Sequence, residues 1–271
     1  MKYQAVIVAA VLVLFPGQSR AGSVLYGTDL VTDQLISIDP NTGQGTSVGS
    51  YVVPTANHLT FDSLGNLYGY DGSVHRLVTL DTTTGEASVV APLSTNAVGL
   101  RSLAFDPDDD LFAVNGSNEL VRIDPLTAQA TTIGDVVGHI VKGMAFTDDG
   151  VLYAVTSARR LITINTVTGS TTELADLFAS TVDLSFDGLT IDNDGIFYSA
   201  NDLEDTLLII NPTTGEATTV GPFGFSGVNG LASPPSMTVV PLPAAAWTGL
   251  ALMGGIGGVR VLKRRRHHKG S

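Results

Sequence analysis

Between Val24 and Thr238, apolar and polar positions alternate in short runs that recur at one spacing. An apolar–aromatic pair stands at Leu25-Tyr26, Leu67-Tyr68, Leu111-Phe112, Leu152-Tyr153 and Phe197-Tyr198, with successive aromatics 42, 44, 41 and 45 residues apart. Alternation with a period of two around each pair predicts strands, and a period near 40 predicts a repeat architecture. Twelve or thirteen residues after each aromatic comes a turn: Asp39-Pro-Asn-Thr-Gly43, Asp81-Thr-Thr-Thr-Gly85, Asp124-Pro-Leu-Thr-Ala128, Asn165-Thr-Val-Thr-Gly169 and Asn211-Pro-Thr-Thr-Gly215. Asp or Asn caps its own backbone there, Pro presets φ, and a closing Gly accepts positive φ.

Strand sequence lies on both sides of each turn, as in Leu120-Val-Arg-Ile123 before one and Ala130-Thr-Thr-Ile133 after it. A further strand precedes each pair except the first: Leu59-Thr-Phe61, Leu103-Ala-Phe105, Met144-Ala-Phe146 and Leu189-Thr-Ile191. Polar hairpins such as Asp106-Pro-Asp-Asp-Asp110 and Asp192-Asn-Asp-Gly195 join it to the pair. Four short strands per unit are the arithmetic of a propeller blade, so the expected fold is all-β: a five-bladed β-propeller of four-stranded blades. The first unit lacks its opening strand. Gly230-Leu231-Ala232 matches Gly143-Met144-Ala145 and is expected to supply it, closing the ring from the C-terminal side.

Composition changes this picture mainly through where the charges lie. The chain has 14 Lys plus Arg, 26 Asp plus Glu, no Cys and a net charge of −12. All 26 acids fall in the repeat region against six basic residues there (Arg76, Arg101, Arg122, Lys142, Arg159, Arg160), leaving that region at −20. Such an acidic body argues against nucleic acid as a partner, since phosphate neutralisation needs a basic footprint. The lack of Cys excludes disulfides, thiolate metal sites and a cysteine nucleophile.

The two ends read as addresses. Lys2, the eleven apolar residues from Ala5 to Phe15, and Ser19-Arg20-Ala21 predict a signal peptide over residues 1–21, cut by signal peptidase. Residues 22–238 then form the propeller and residues 239–271 a tail. In that tail Val240-Pro241-Leu242-Pro243-Ala244 precedes an apolar stretch, residues 244–262, long enough for one transmembrane helix. Arg260, Lys263, Arg264, Arg265 and Arg266 follow, and the positive-inside rule keeps them cytoplasmic.

This order of proline motif, apolar helix and arginine cluster resembles the PEP-CTERM class of bacterial sorting signals, in its VPLPA-CTERM variant. The resemblance implies an exosortase-type sorting protease as partner, initial anchoring in the inner membrane, and a final place at the cell surface or outside the cell. It also implies company with extracellular polysaccharide. The repeat is itself similar to propeller families of exported bacterial proteins.

In a propeller the innermost strand comes first, which sorts the loops into two faces. One polar residue per blade stands two positions ahead of each innermost strand: Asn57, Arg101, Lys142, Asp187 and Asn229. All five are expected at one mouth of the central channel, and Arg159 and Arg160 on the same face. Together they are candidates for an anionic or hydroxyl-rich ligand such as an acidic polysaccharide. Asp29, Asp33, Asp71, Asp202, Glu204 and Asp205 share that face and oppose a positive patch. The Asp-rich turns fall on the opposite face, where a fragment of a calcium loop at Asp192–Gly195 and plain solvated turns are both open readings. No metal or other cofactor is expected. His58, His75 and His139 occupy different loops, no Gly-x-Ser-x-Gly elbow occurs, and only Asp187 could serve a carboxylate pair at the mouth. The sole Trp, Trp247, lies in the tail. The expected function is therefore a non-enzymatic binding or structural module of the envelope or extracellular matrix. A propeller lyase or glycosidase acting on polysaccharide is the alternative.

Overall fold

The computed structural model describes residues 24–53 and 55–236, and within them the chain forms twenty strands and one short 3₁₀ turn. β1 (Leu25–Asp29), β2 (Gln34–Ile38) and β3 (Gly45–Ser50) open the first blade. β4 (Asn57–Phe61), β5 (Leu67–Asp71), β6 (Arg76–Leu80) and β7 (Ala87–Pro92) make the second, and β8 (Ser102–Phe105), β9 (Leu111–Val114), β10 (Glu119–Ile123) and β11 (Ala130–Asp135) the third. β12 (Val141–Phe146), β13 (Leu152–Thr156), β14 (Arg160–Ile164) and β15 (Thr171–Asp176) form the fourth. β16 (Phe186–Ile191), β17 (Phe197–Asn201), β18 (Thr206–Ile210) and β19 (Ala217–Pro222) form the fifth. β20 (Val228–Ala232) then pairs antiparallel with β1, Tyr26 opposite Ala232 and Asp29 opposite Val228, so the first sheet runs β20-β1-β2-β3. The five-bladed propeller and its returning last strand are as the repeat predicts.

β4, β8, β12, β16 and β20 are innermost and neighbour one another in a ring. The core is not one mass but five wedges, each drawn from two adjacent blades. One holds Tyr70 and Leu77 of the second blade with Leu103, Leu111 and Val121 of the third; another holds Tyr198 and Leu207 of the fifth with Leu25 and Ile36 of the first. The repeated aromatics pack across these wedges. Tyr26 meets Phe61 at 5.6 Å between ring centroids, Tyr68 meets Phe105 at 5.0 Å, Phe112 meets Phe146 at 5.4 Å and Tyr153 meets Phe197 at 4.9 Å. Side-chain hydroxyls lace the inner strands: Thr60 accepts from the Phe105 N–H, Ser102 from Met144 and Thr190 from Ser233.

The turn glycines have a second duty that local turn chemistry does not reveal. A Cβ on Gly85 would lie 2.4 Å from the carbonyl oxygen of Gly49 in the preceding blade, and one on Gly43 equally close to that of Gly221. A side chain at either position would push two blades apart. Gly43 and Gly221 join the last blade to the first, so the ring is sealed at its rim as well as through β20.

Among the described residues no helix is long and apolar enough to cross a membrane. The signal peptide, the sorting motif at Val240 to Ala244 and the transmembrane helix expected over residues 244–262 all lie outside the described residues.

Candidate functional site

The structure brings Asn57, Arg101, Lys142, Asp187 and Asn229 together as a ring at one mouth of the channel, each partly exposed. Their placement corrects the expected register. Only Arg101 precedes its strand; the other four lie within β4, β12, β16 and β20, because each of those strands carries a bulge at this level. Around the ring the order is Asn57, Arg101, Lys142, Asp187, Asn229. Two cations thus stand side by side, and three oxygen-bearing side chains complete the circle.

Several polar atoms of this ring are buried without a partner: Asn57 Oδ1, Asn229 Oδ1 and Arg101 Nε. Such atoms are costly unless something satisfies them. The Asn229 amide is oriented by its own donor, since Nδ2 donates to Asp187 Oδ2 at 2.8 Å and leaves Oδ1 as a free acceptor. Arg101 is steadied by donation from Nη2 to the Gly116 carbonyl at 3.3 Å. Lys142 forms no ion pair among the described residues, although its charge reaches both Asp187 and His58. Burial pushes the Asp187 carboxyl up to about 6; Lys142 counteracts this and the Asp202 charge adds to it.

His58 is the residue that the sequence reading missed. It is not in a loop but in β4, one position past Asn57, with φ of 52°. Its ring stacks on Tyr70 at 6.4 Å, and desolvation holds its pKa down at about 4, so it is neutral at physiological pH. Aligning the repeats would have found it. Ser102, Gly143, Gly188 and Gly230 hold the same place in the other blades.

Those glycines pinch neighbouring inner strands together. A Cβ on Gly143 would lie 2.3 Å from the Gly188 carbonyl carbon, one on Gly188 2.9 Å from the Leu231 nitrogen, and one on Gly230 2.8 Å from the His58 nitrogen. The inner strands therefore touch backbone to backbone just beneath the polar ring. At the opposite face lies a cavity of about 240 Å³, and no residue of the ring or the pinch lines it. Its walls include Thr60, Phe105, Phe146, Thr190 and Ser233, with Asp62, Asp106 and Asp148 at the rim.

Several acids of that opposite face are occupied by their own turns. Asp62 Oδ1 accepts from the N–H groups of Leu64 and Asn66, Asp106 Oδ1 from Asp108 and Asp110, and Asp192 Oδ1 from Asp194 and Ile196. At the outer turns the backbone N–H groups that Asp39, Asp81 and Asp124 accept hold these carboxyls below the usual range. Among the described residues no group of three or more His, Asp or Glu is placed to hold a metal ion.

The remaining candidate cations lie away from the ring. Arg160 pairs with Asp176, and Arg159 is exposed in the hairpin before it. Arg76 donates to the buried Asp71 at 2.5 Å. Asp29 and Asp71 are likewise committed, accepting from the loops that follow them. Of the cations assigned to this face, Arg101 and Lys142 are the pair that meets at the channel.

A family model described as a repeat of unknown function, DUF6923, matches residues 72–231, more than half of the chain. None of the curated proteins is similar to this sequence. Among solved structures, the crystal structure of a nidogen/laminin complex is similar at 13% identity and a TM-score of 0.59, over 79% of this chain and 99% of that one. The structure of virginiamycin B lyase from Staphylococcus aureus has 16% identity and a TM-score of 0.44, over 69% of this chain and 62% of that one. At 13% identity the likeness to the nidogen/laminin complex is one of fold.

Proposed function

The chain belongs to the DUF6923 family, a repeat family of unknown function, and from that premise we propose that it is an exported binding module whose ligand sits on the polar ring. The observation that carries this reading is the ring itself. Five blades each contribute one polar side chain to the same mouth, and three of these hold buried polar atoms without a partner. The amino-terminal leader and the sorting-type tail support export and attachment at the cell surface, with signal peptidase and an exosortase-type protease as processing partners. Leu25 lies beside the turn at Asp39, and Ser233, Pro234 and Pro235 line the cavity rim, so both ends of the described chain leave on the face away from the ring. The ligand proposed for the ring is a polysaccharide of the envelope or matrix.

The test is a glycan-array screen with the full-length chain and with its Arg101→Gln/Lys142→Gln variant. Retention of a glycan by the wild type and its loss in the variant, with thermal unfolding unchanged, supports the module. No retention of any glycan sinks it. Asp187 favours a second reading, because a carboxyl raised to about 6 beside a lysine suits proton transfer in a polysaccharide lyase or glycosidase. Product release from a retained glycan, abolished by Asp187→Asn, would establish the enzyme instead.

A further inference from the structure

We propose that the protein carries a second binding site, separate from the polar ring, for a small organic cation: an ammonium group on a compact hydrocarbon body. The site is the cavity of about 240 Å³ at the opposite face. Its apolar wall comes from the last residues of successive inner strands. Phe61 ends β4, Phe105 ends β8, Phe146 ends β12 and Ile191 ends β16, and all four line the cavity. Each of the three phenylalanine rings is set against an aromatic of the preceding blade, Tyr26, Tyr68 and Phe112 in turn. Those contacts fix the wall before any ligand arrives. The volume falls below the roughly 300–1,000 Å³ of pockets that hold drug-sized molecules, which restricts the occupant to a small body.

The charge of the ligand follows from what borders this wall. The acids lining the cavity are Asp62, Asp106 and Asp148, and no Lys, Arg or His lines it. Asp62 is spent, since both its oxygens accept hydrogen bonds within its own hairpin. Asp148 is exposed and has neither a hydrogen bond nor an ion pair among the described residues. Asp106 is half-buried; its Oδ1 closes the turn, and its Oδ2 has no partner among the described residues. These two carboxylates are open to solvent and hence to a ligand. Arg122, on the same blade as Asp106, is already paired with Asp110. An anion in the cavity meets carboxylates and no counter-charge. A metal ion lacks its ligand set, because no group of three or more His, Asp or Glu is placed to hold one among the described residues. A neutral apolar molecule fills the wall and gains nothing from the acids. An ammonium on a hydrocarbon body uses both.

The experiment is calorimetric titration of the full-length chain at neutral pH and low salt. The probes are benzylammonium and cyclohexylammonium, their alcohol and carboxylate counterparts, methylammonium as charge alone, and calcium chloride. At least one of the two larger ammonium ions is expected to bind about tenfold tighter than methylammonium, the share of the apolar wall. It should bind about fivefold tighter than its alcohol, the share of the carboxylates. Asp106→Asn/Asp148→Asn keeps the acceptor that closes the Asp106 turn and should erase the preference over the alcohol, with thermal unfolding unchanged. Arg101→Gln/Lys142→Gln should leave every affinity as it is. Methylammonium binding as tightly as the larger ions would reduce the site to surface pairing and overturn the cavity. Alcohols or carboxylates binding as tightly as the ammonium ions would overturn the cationic ligand, and so would displacement of the ammonium ion by calcium. Loss of binding in Arg101→Gln/Lys142→Gln would move the site to the ring. No saturable binding of either larger ammonium ion would remove the proposal.

Discussion

The two ends of the central channel are built from the same five strands and use polar residues in opposite ways. On the cavity face, acids are plentiful and many are bonded to their own turns: the Asp106 and Asp192 side chains close hairpins, and Asp39, Asp81 and Asp124 hold N–H groups two residues on. At the opposite mouth polar residues are few, one per blade, and part of their hydrogen-bonding capacity is unspent. Abundance of charge on one face thus goes with turn stabilisation, whereas unmet hydrogen-bonding capacity sets the other mouth apart.

The largest effect should come from removing the strand common to both ends. Deleting residues 229–233 takes one member from the polar ring and one strand from the first blade. It should abolish cooperative unfolding near the wild-type temperature, whereas trimming residues 234–238 should leave the melting curve almost unchanged. Next is the pinch between neighbouring inner strands. Gly143→Val sets a side chain against the backbone of β16 and should cost about 3 kcal/mol or more, on the order of a 10 °C fall in melting temperature. A tolerated valine would refute the close approach of β12 and β16 at this level.

Acidification sharpens the mouth by its signs. The folded Asp187 titrates at about 6 against 3.8 when unfolded, so it contributes stability below that window and loses it as pH rises through 6. The folded His58 titrates at about 4 against 6.5, so its contribution is lost as pH falls from 6.5 towards 4. The two oppose one another, each by at most about 3 kcal/mol. Urea unfolding between pH 6.5 and 4 should therefore show Asp187→Asn losing more stability on acidification than wild type, and His58→Gln losing less. Parallel slopes would refute the burial of both groups. The smallest effect lies on the cavity face, where Asp106→Ala removes two backbone acceptor contacts and should cost about 1–2 kcal/mol without altering any glycan affinity.

The recurring pairs and Asp-x-x-x-Gly turns made the blades legible, and the match of Gly230-Leu231 to Gly143-Met144 made the closing strand legible. The ring of Asn57, Arg101, Lys142, Asp187 and Asn229 followed from the same alignment. Three things did not. The bulges shift four of these residues into their strands, and a bulge has no signature in a single apolar–polar pattern. The pairing of Arg76 with Asp71 and of Arg160 with Asp176 depends on cross-strand register, since each pair sits directly opposite in its hairpin. The pinch depends on how close neighbouring strands approach, and glycine in a sequence reports a permitted backbone before it reports a close neighbour.

The returning strand also sets a schedule. Of the twenty strands β1 is made first and β20 last, so the first blade lacks its inner strand until nearly the whole repeat region has emerged. Until then β1 offers an unpaired edge next to the channel. The ring becomes a closed object only after synthesis of the repeats is complete.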